Sequence, residues 1–194
     1  MALPRFGLPH VPNDKKFREL ILFISERSEG DAPFGSVKLN KLLFYADFLA
    51  YLKFGKAITW QKYQKLDQGP CPRRMVPVLR ELEEDEEIVQ VDRNYHGYTQ
   101  KRVIALREPD LSVFSADEIA LVTQILDEFK GMNAKQVSDT SHDFIGWQLA
   151  ELGEDIPYEV ALVKFGDQKP NPKISNKLKK QLLKLDKELR TEDA

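Results

Sequence analysis

Hydrophobic residues recur at helical spacing through much of the chain. After Asn13 or Asp14, Phe17, Leu20, Ile21 and Ile24 follow the i, i+3, i+4, i+7 pattern. That pattern predicts a helix with one core face, ended by Ser28-Glu29-Gly30-Asp31-Ala32-Pro33. A second helix is predicted over Val37–Lys53, with Ser36 as its N-cap and Gly55 as its end. Leu39, Leu42, Leu43, Ala46, Leu49 and Ala50 share one side of it, at roughly 100° per residue. The opposite side carries Asn40, Phe44, Asp47 and Tyr51, with Val37 and Phe48 beside them. A solvent face would be charged there. This helix is therefore buried on both sides, or its second face binds something.

Residues 57–66 alternate only in part and predict a short extended segment. Gln68-Gly69-Pro70-Cys71-Pro72 reads as a turn, with Pro72 at the first position of a helix whose core face holds Met75, Val76, Leu79 and Leu82. Pro77 makes the first turn of that helix irregular. The acidic run Glu81–Glu87 sits at the helix C-terminus, where the dipole disfavours negative charge, and is expected to fray into solvent. Ile88–Val91 and Tyr98–Leu106 predict a β-hairpin joined by the loop Asp92–Gly97. Helix followed by hairpin is the outline of a winged helix.

Ser115-Ala116-Asp117-Glu118 is a capping box opening a helix with Ile119, Val122, Leu126 and Phe129 as its core stripe and Gly131 at its end. Asn133 caps a further helix with Val137, Thr140, Ser141 and Phe144 on one side. Shorter helical pieces are expected at 146–149 and 158–162. After the linker Gln168-Lys169-Pro170-Asn171-Pro172, Lys173 to Arg190 predicts an amphipathic helix with a narrow seam of Ile174, Leu178, Leu182, Leu185 and Leu189. It carries seven basic against two acidic side chains, a net +5. That face is either solvated or binds an acidic groove, nucleic acid phosphates or a second copy of itself.

Composition narrows the class. A chain of 194 residues, 42% hydrophobic and 31% charged, buries a sizeable core in one domain with appendages or in two small ones. The formal net charge of −2 argues against nonspecific nucleic-acid binding by the whole chain. A single cysteine, Cys71, excludes an internal disulfide framework and fits a reducing cytoplasm. No run of about 18 apolar residues predicts a membrane span. The Pro-broken start, Met1–Pro9, is too short for a signal peptide.

Signals for chemistry are sparse. There is no Gly-rich phosphate loop and no zinc-ligand spacing, so neither metal nor cofactor is expected. His10 and His96 stand apart, and His142 lies in Ser141-His142-Asp143. Cys71, His142 and Asp47 can be drawn as a triad, which requires mutual hydrogen-bond reach and an oxyanion site. The plainer reading makes His142 a hydrogen-bonding residue. Asp47 is either buried and paired, since an unpaired buried carboxylate is costly, or exposed to a basic partner. Arg73 and Arg74 are solvated, or contact phosphate or an acidic partner.

Three pieces in order carry a family resemblance: Leu39-x-Lys41-Leu42-Leu43-x-x-x-Asp47, Gly69-Pro70, and Ser141-His142 with Trp147 downstream. Together they resemble the SocA-like antitoxins, or Panacea domain, over about residues 14–163. The resemblance implies a bacterial, archaeal or phage-borne protein encoded beside a toxin that it neutralises by direct contact. The founding member of the family instead acts as an adaptor that delivers its toxin to a AAA+ protease. The resemblance implies no catalytic residues.

These signals add up to an α+β fold: a mainly helical single domain with a small antiparallel hairpin or sheet, and a C-terminal helix. Residues 1–13 form an extension, 14–167 the domain, and 168–194 the linker and basic helix. The function expected is a cytoplasmic, non-enzymatic antitoxin. A winged-helix DNA-binding regulator and a proteolytic adaptor are the alternatives. Nucleic acid is disfavoured by the acidic run before the hairpin. Asn40, Phe44, Asp47, Phe48, Tyr51, Gly69, Pro70, Arg73, Ser141, His142 and Trp147 are the expected partner-binding residues.

Overall fold

The computed structural model describes residues 11–142, 148 and 150–162. The expected N-terminal extension up to residue 10, Phe144, Trp147 and the basic C-terminal helix lie outside them. The element order is α1 (Asp14–Arg27), α2 (Ser36–Phe54), β1 (Tyr63–Leu66), β2 (Gly69–Pro72), α3 (Met75–Glu84), β3 (Ile88–Tyr95), β4 (Tyr98–Ala105), α4 (Ala116–Phe129), α5 (Ala134–His142) and β5 (Asp155–Ile156). Short 3₁₀ turns occupy Leu111–Val113 and Tyr158–Leu162. The fold is α+β, with an antiparallel β2-β1-β5 sheet and a separate β3–β4 ribbon.

Local signals set several boundaries as the sequence predicts. Asn13 caps α1 by accepting from the Lys16 amide at 2.9 Å. Ser115 and Glu118 form the capping box of α4. Gly55 ends α2 in the left-handed conformation. The N-cap of α2, however, is Gly35 rather than Ser36, and it provides no side-chain bond.

Other elements depart from expectation. Gly69–Pro72 is a strand, not a turn, paired Tyr63↔Pro72 through Leu66↔Gly69. Prolines are tolerated there because β2 lies at the sheet edge and needs no ladder donor on its outer side. Pro72 therefore does not open α3. Val76 is 68% exposed, and Val78 joins Met75, Leu79 and Leu82 in the core instead. The acidic run does not fray. Arg18 of α1 bonds Asp85 at 2.5 Å and Glu87 at 3.2 Å, and Arg107 bonds Glu87 at 2.9 Å. The hairpin is tighter than expected. Its strands run to Tyr95 and Tyr98, joined by His96-Gly97, both with positive φ, the two-residue turn that matches strand twist.

α2 is the centre of the core. α1, α4 and α5 pack against it, and β2 and the 158–162 turn close over its second side. The helix is buried on both sides. Every residue from Lys41 through Leu52 is buried. Two basic residues, Lys38 and Lys41, are buried within it. Lys38 Nζ bonds Asp31 Oδ2 at 2.6 Å and the Phe129 and Met132 carbonyls at 2.7 and 2.9 Å. It thereby caps the C-terminal end of α4, where carbonyls lack helical partners. Arg102 of β4 does the same for α1, donating to the Ser28, Glu29 and Asp31 carbonyls.

Candidate functional site

The second face of α2 is built around Asp47, which is fully buried. One oxygen accepts the Thr59 amide at 2.6 Å; the other accepts the Thr59 hydroxyl and the Tyr63 hydroxyl, the latter at 2.8 Å. Burial raises its pKa to about 6, and these hydrogen bonds pull in the opposite direction. Phe44 and Phe48 have ring centroids 4.3 Å apart, and Phe48 stacks on Tyr158 at 4.5 Å. Tyr51 meets Trp60 edge-on at 5.7 Å. Phe44, Asp47, Phe48 and Tyr51 thus face the chain's own β1 and 158–162 turn rather than solvent. The physical reason is that Trp60, Tyr63 and Tyr158 supply the apolar surface that a partner would otherwise have to supply.

A second buried junction joins the other motif residues. Lys41 is 1% exposed, and its Nζ donates to the Pro70 carbonyl at 3.2 Å. Burial lowers its pKa to about 8; nearby Cys71 acts the other way. Gly69, at φ +100°, lies against it. A Cβ there would sit 2.6 Å from both Lys41 Cε and Ser141 Oγ. Ser141 is buried and donates to the Ser138 carbonyl at 2.8 Å, while Ser138 donates to the Gln68 carbonyl at 3.0 Å. The junction locks α2, the start of β2 and α5 together. His142 closes α5, and its side chain is outside the described residues.

The structure does not assemble Cys71 and Asp47 into a triad. Asp47 is engaged by Thr59 and Tyr63, and the Cys71 thiol, whose pKa burial raises, approaches the Pro72 carbonyl at 3.6 Å. A thiol held protonated is a weak nucleophile. Among the described residues no group of three His, Cys, Asp or Glu could hold a metal ion, and no helix is long and apolar enough to cross a membrane.

Of the expected contact residues, Asn40 and Arg73 reach the surface. Asn40 is half-buried, with Oδ1 lacking a hydrogen-bond partner among the described residues. Arg73 is paired with Asp155 and donates to the Gly153 carbonyl at 2.6 Å.

A more exposed element lies outside the expected contact residues. The outer half of the β3–β4 hairpin projects with both faces largely open. Tyr98, at its tip, is 78% exposed; Tyr95 is its cross-strand partner, Arg93 lies on the same face, and Lys101 lies opposite Asp92 on the other face. Aromatics beside basic groups on a tight turn were the available signal.

The family model for the SocA-like antitoxins, Panacea domain, matches residues 39–148. That is more than half of the chain, and the chain belongs to this family. No curated protein and no solved structure matches it.

Proposed function

We propose that this protein neutralises a cognate protein toxin by direct binding, with the β3–β4 hairpin as its principal contact surface. The family supports a toxin–antitoxin role in general terms. The observation that carries the finer reading is the exposed Tyr98 beside Tyr95 at the tip of the hairpin, with Arg93 on the same face. Interface hot spots favour rigid aromatics and arginine. On this reading Lys41, Asp47, Gly69 and Ser141 act by holding the fold. Asn40 and Arg73 remain candidates for contacts at the rim.

A DNA-binding role ranks below it. α3 would have to enter a groove, and Glu81, Glu83 and Glu84 would face phosphates. Residues 14–167 form the neutralising domain, and the basic segment after it adjusts partner choice.

The test is co-expression of the chain with the protein encoded by the adjacent gene. Restored growth and co-purification in a defined ratio support the reading. Continued toxicity with both proteins soluble contradicts it.

A further inference from the structure

The Leu106 amide donates to the Glu87 carbonyl at 2.8 Å, and facing pairs of an antiparallel ladder alternate between bonded and non-bonded from there. Bonded pairs fall at Val89↔Ile104, Val91↔Arg102, Arg93↔Gln100 and Tyr95↔Tyr98, the last closing the two-residue turn. Gln90, Asp92 and Asn94 therefore turn their amides and carbonyls away from β4. The Gln90 amide shows this directly, because Glu83 Oε1 of α3 takes it at 3.1 Å. Farther out, Asp92, Arg93 and Asn94 are all exposed. Among the described residues, no hydrogen bond reaches the main-chain groups of Asp92 and Asn94 that face outward. The β4 edge is closed by contrast: Arg102 and Val103 are buried, with α1 packed beside them. An open strand edge is a template for pairing.

Side chains alternate along β3, so Val91, Arg93 and Tyr95 share one face and Gln90, Asp92 and Asn94 the other. Arg93 forms no ion pair among the described residues. Arg102, opposite Val91, lies on the same face, and its pKa is lowered by burial and then by the charge of Arg93. This face is thus positive as well as aromatic. A second copy of the chain suits the edge poorly. Two-fold antiparallel pairing that engages both Asp92 and Asn94 sets Asp92 against Asp92 or Arg93 against Arg93, and like charges directly opposite are destabilising. The chain's own C-terminal segment, at net +5, would bring further cations to Arg93.

We propose that the outer edge of β3, from Asp92 to Asn94, takes up an extended segment of the toxin as an added strand, with acidic and apolar side chains of that segment on the face of Arg93 and Tyr95. The proposal rests on the antitoxin and hairpin reading above. Main-chain bonds to Asp92 and Asn94 supply the pairing. Arg93 selects a carboxylate in the incoming strand, and Val91 and Tyr95 select apolar side chains two residues to either side of it.

The experiment measures affinity for the adjacent gene's product, in an inactivated form, by titration calorimetry. Asp92→Ala and Asp92→Pro both lose the carboxylate, but only the proline loses the outward amide, at an edge position that tolerates it. With melting unchanged, Asp92→Pro is expected to bind roughly tenfold more weakly than Asp92→Ala, about one main-chain hydrogen bond. Arg93→Glu is expected to weaken binding roughly tenfold or more at low salt, and less at high salt. Amide hydrogen exchange on the wild-type complex, read by NMR, is independent of any variant. The Asp92 and Asn94 amides gain protection on binding, whereas those of Arg93 and Tyr95 already bond β4. Binding without protection at Asp92 and Asn94 overturns the edge proposal alone and leaves the Tyr98 contact standing. Protection that appears in the free chain and grows with its concentration assigns the edge to a second copy, against the proposal. Absence of wild-type binding overturns the antitoxin reading, and this one with it.

Discussion

Gly69 lies against Lys41 so closely that a single added methyl would sit 2.6 Å from the lysine Cε. Lys41 cannot swing away, because it is 1% exposed and tied to the Pro70 carbonyl. Gly69→Ala therefore combines a positive-φ penalty with a clash. It is expected to cost at least about 1–3 kcal/mol in urea denaturation. Gly97→Ala, at φ +83° with nothing within 4 Å of the new Cβ, bears only the backbone part and should cost less. Equal losses at the two sites would show that the junction is loosely packed.

Asp47 makes stability depend on pH in a predictable direction. Its folded pKa is about 6, against an ordinary 3.8. The folded chain thus holds this proton more tightly than the unfolded chain does. Its contribution to stability is fully present below about pH 4 and is lost as pH rises through 6, on the order of 3 kcal/mol in all. Asp47→Asn keeps a neutral group at every pH. The wild-type minus variant difference in unfolding free energy should fall between about pH 4 and 7. A difference independent of pH would mean that the hydrogen bonds from Thr59 and Tyr63 balance burial, and one that rises with pH would mean that they outweigh it.

Much of this architecture is legible in the sequence where the signal is local. The i, i+3, i+4 stripe of α1, the Ser115–Glu118 capping box and the β3–β4 alternation all act within a few residues. The β1–β2 pairing is hidden because Pro70 and Pro72 read as turn residues, and only their place at a sheet edge makes them acceptable in a strand. The two-residue strand β5 depends entirely on Tyr63 and Gln64 as partners. The second face of α2 is ambiguous for a similar reason. Aromatics around a carboxylate suit an interface or an interior equally, and the deciding partners, Thr59, Tyr63 and Tyr158, lie outside the helix. Nothing in the pattern marks Lys38 and Lys41 as buried.

Lys38 supplies a third prediction. Lys38→Met leaves the buried Asp31 carboxylate with only the Gly131 amide, at 2.9 Å, among the described residues, and uncaps the Phe129 and Met132 carbonyls. Breaking one side of a buried pair is expected to cost about 3–5 kcal/mol in chemical denaturation. Lys56→Met, at an exposed position just beyond the same helix, should stay within about 0.5 kcal/mol of wild type.

Truncation within the second face of α2 should act through folding. Phe48→Ala opens a cavity among Phe44, Tyr63 and Tyr158 and is expected to cost about 3–5 kcal/mol. Neutralisation should then fall in parallel with the folded fraction across temperature. A variant that remains fully folded yet fails to neutralise would instead place Phe48 in the contact.

If the motif residues build the domain and the exposed hairpin binds the toxin, the hairpin tip is the place to measure. The most direct measurement is the affinity of Tyr98→Ala for the adjacent gene's product, taken with its melting temperature. The predicted result is an unchanged melting temperature with binding weakened about thirty-fold, the loss of one aromatic hot spot. Wild-type affinity in Tyr98→Ala, with binding lost in a stably folded Asn40→Ala or Arg73→Ala, would contradict it and move the contact to the rim of α2 and β2.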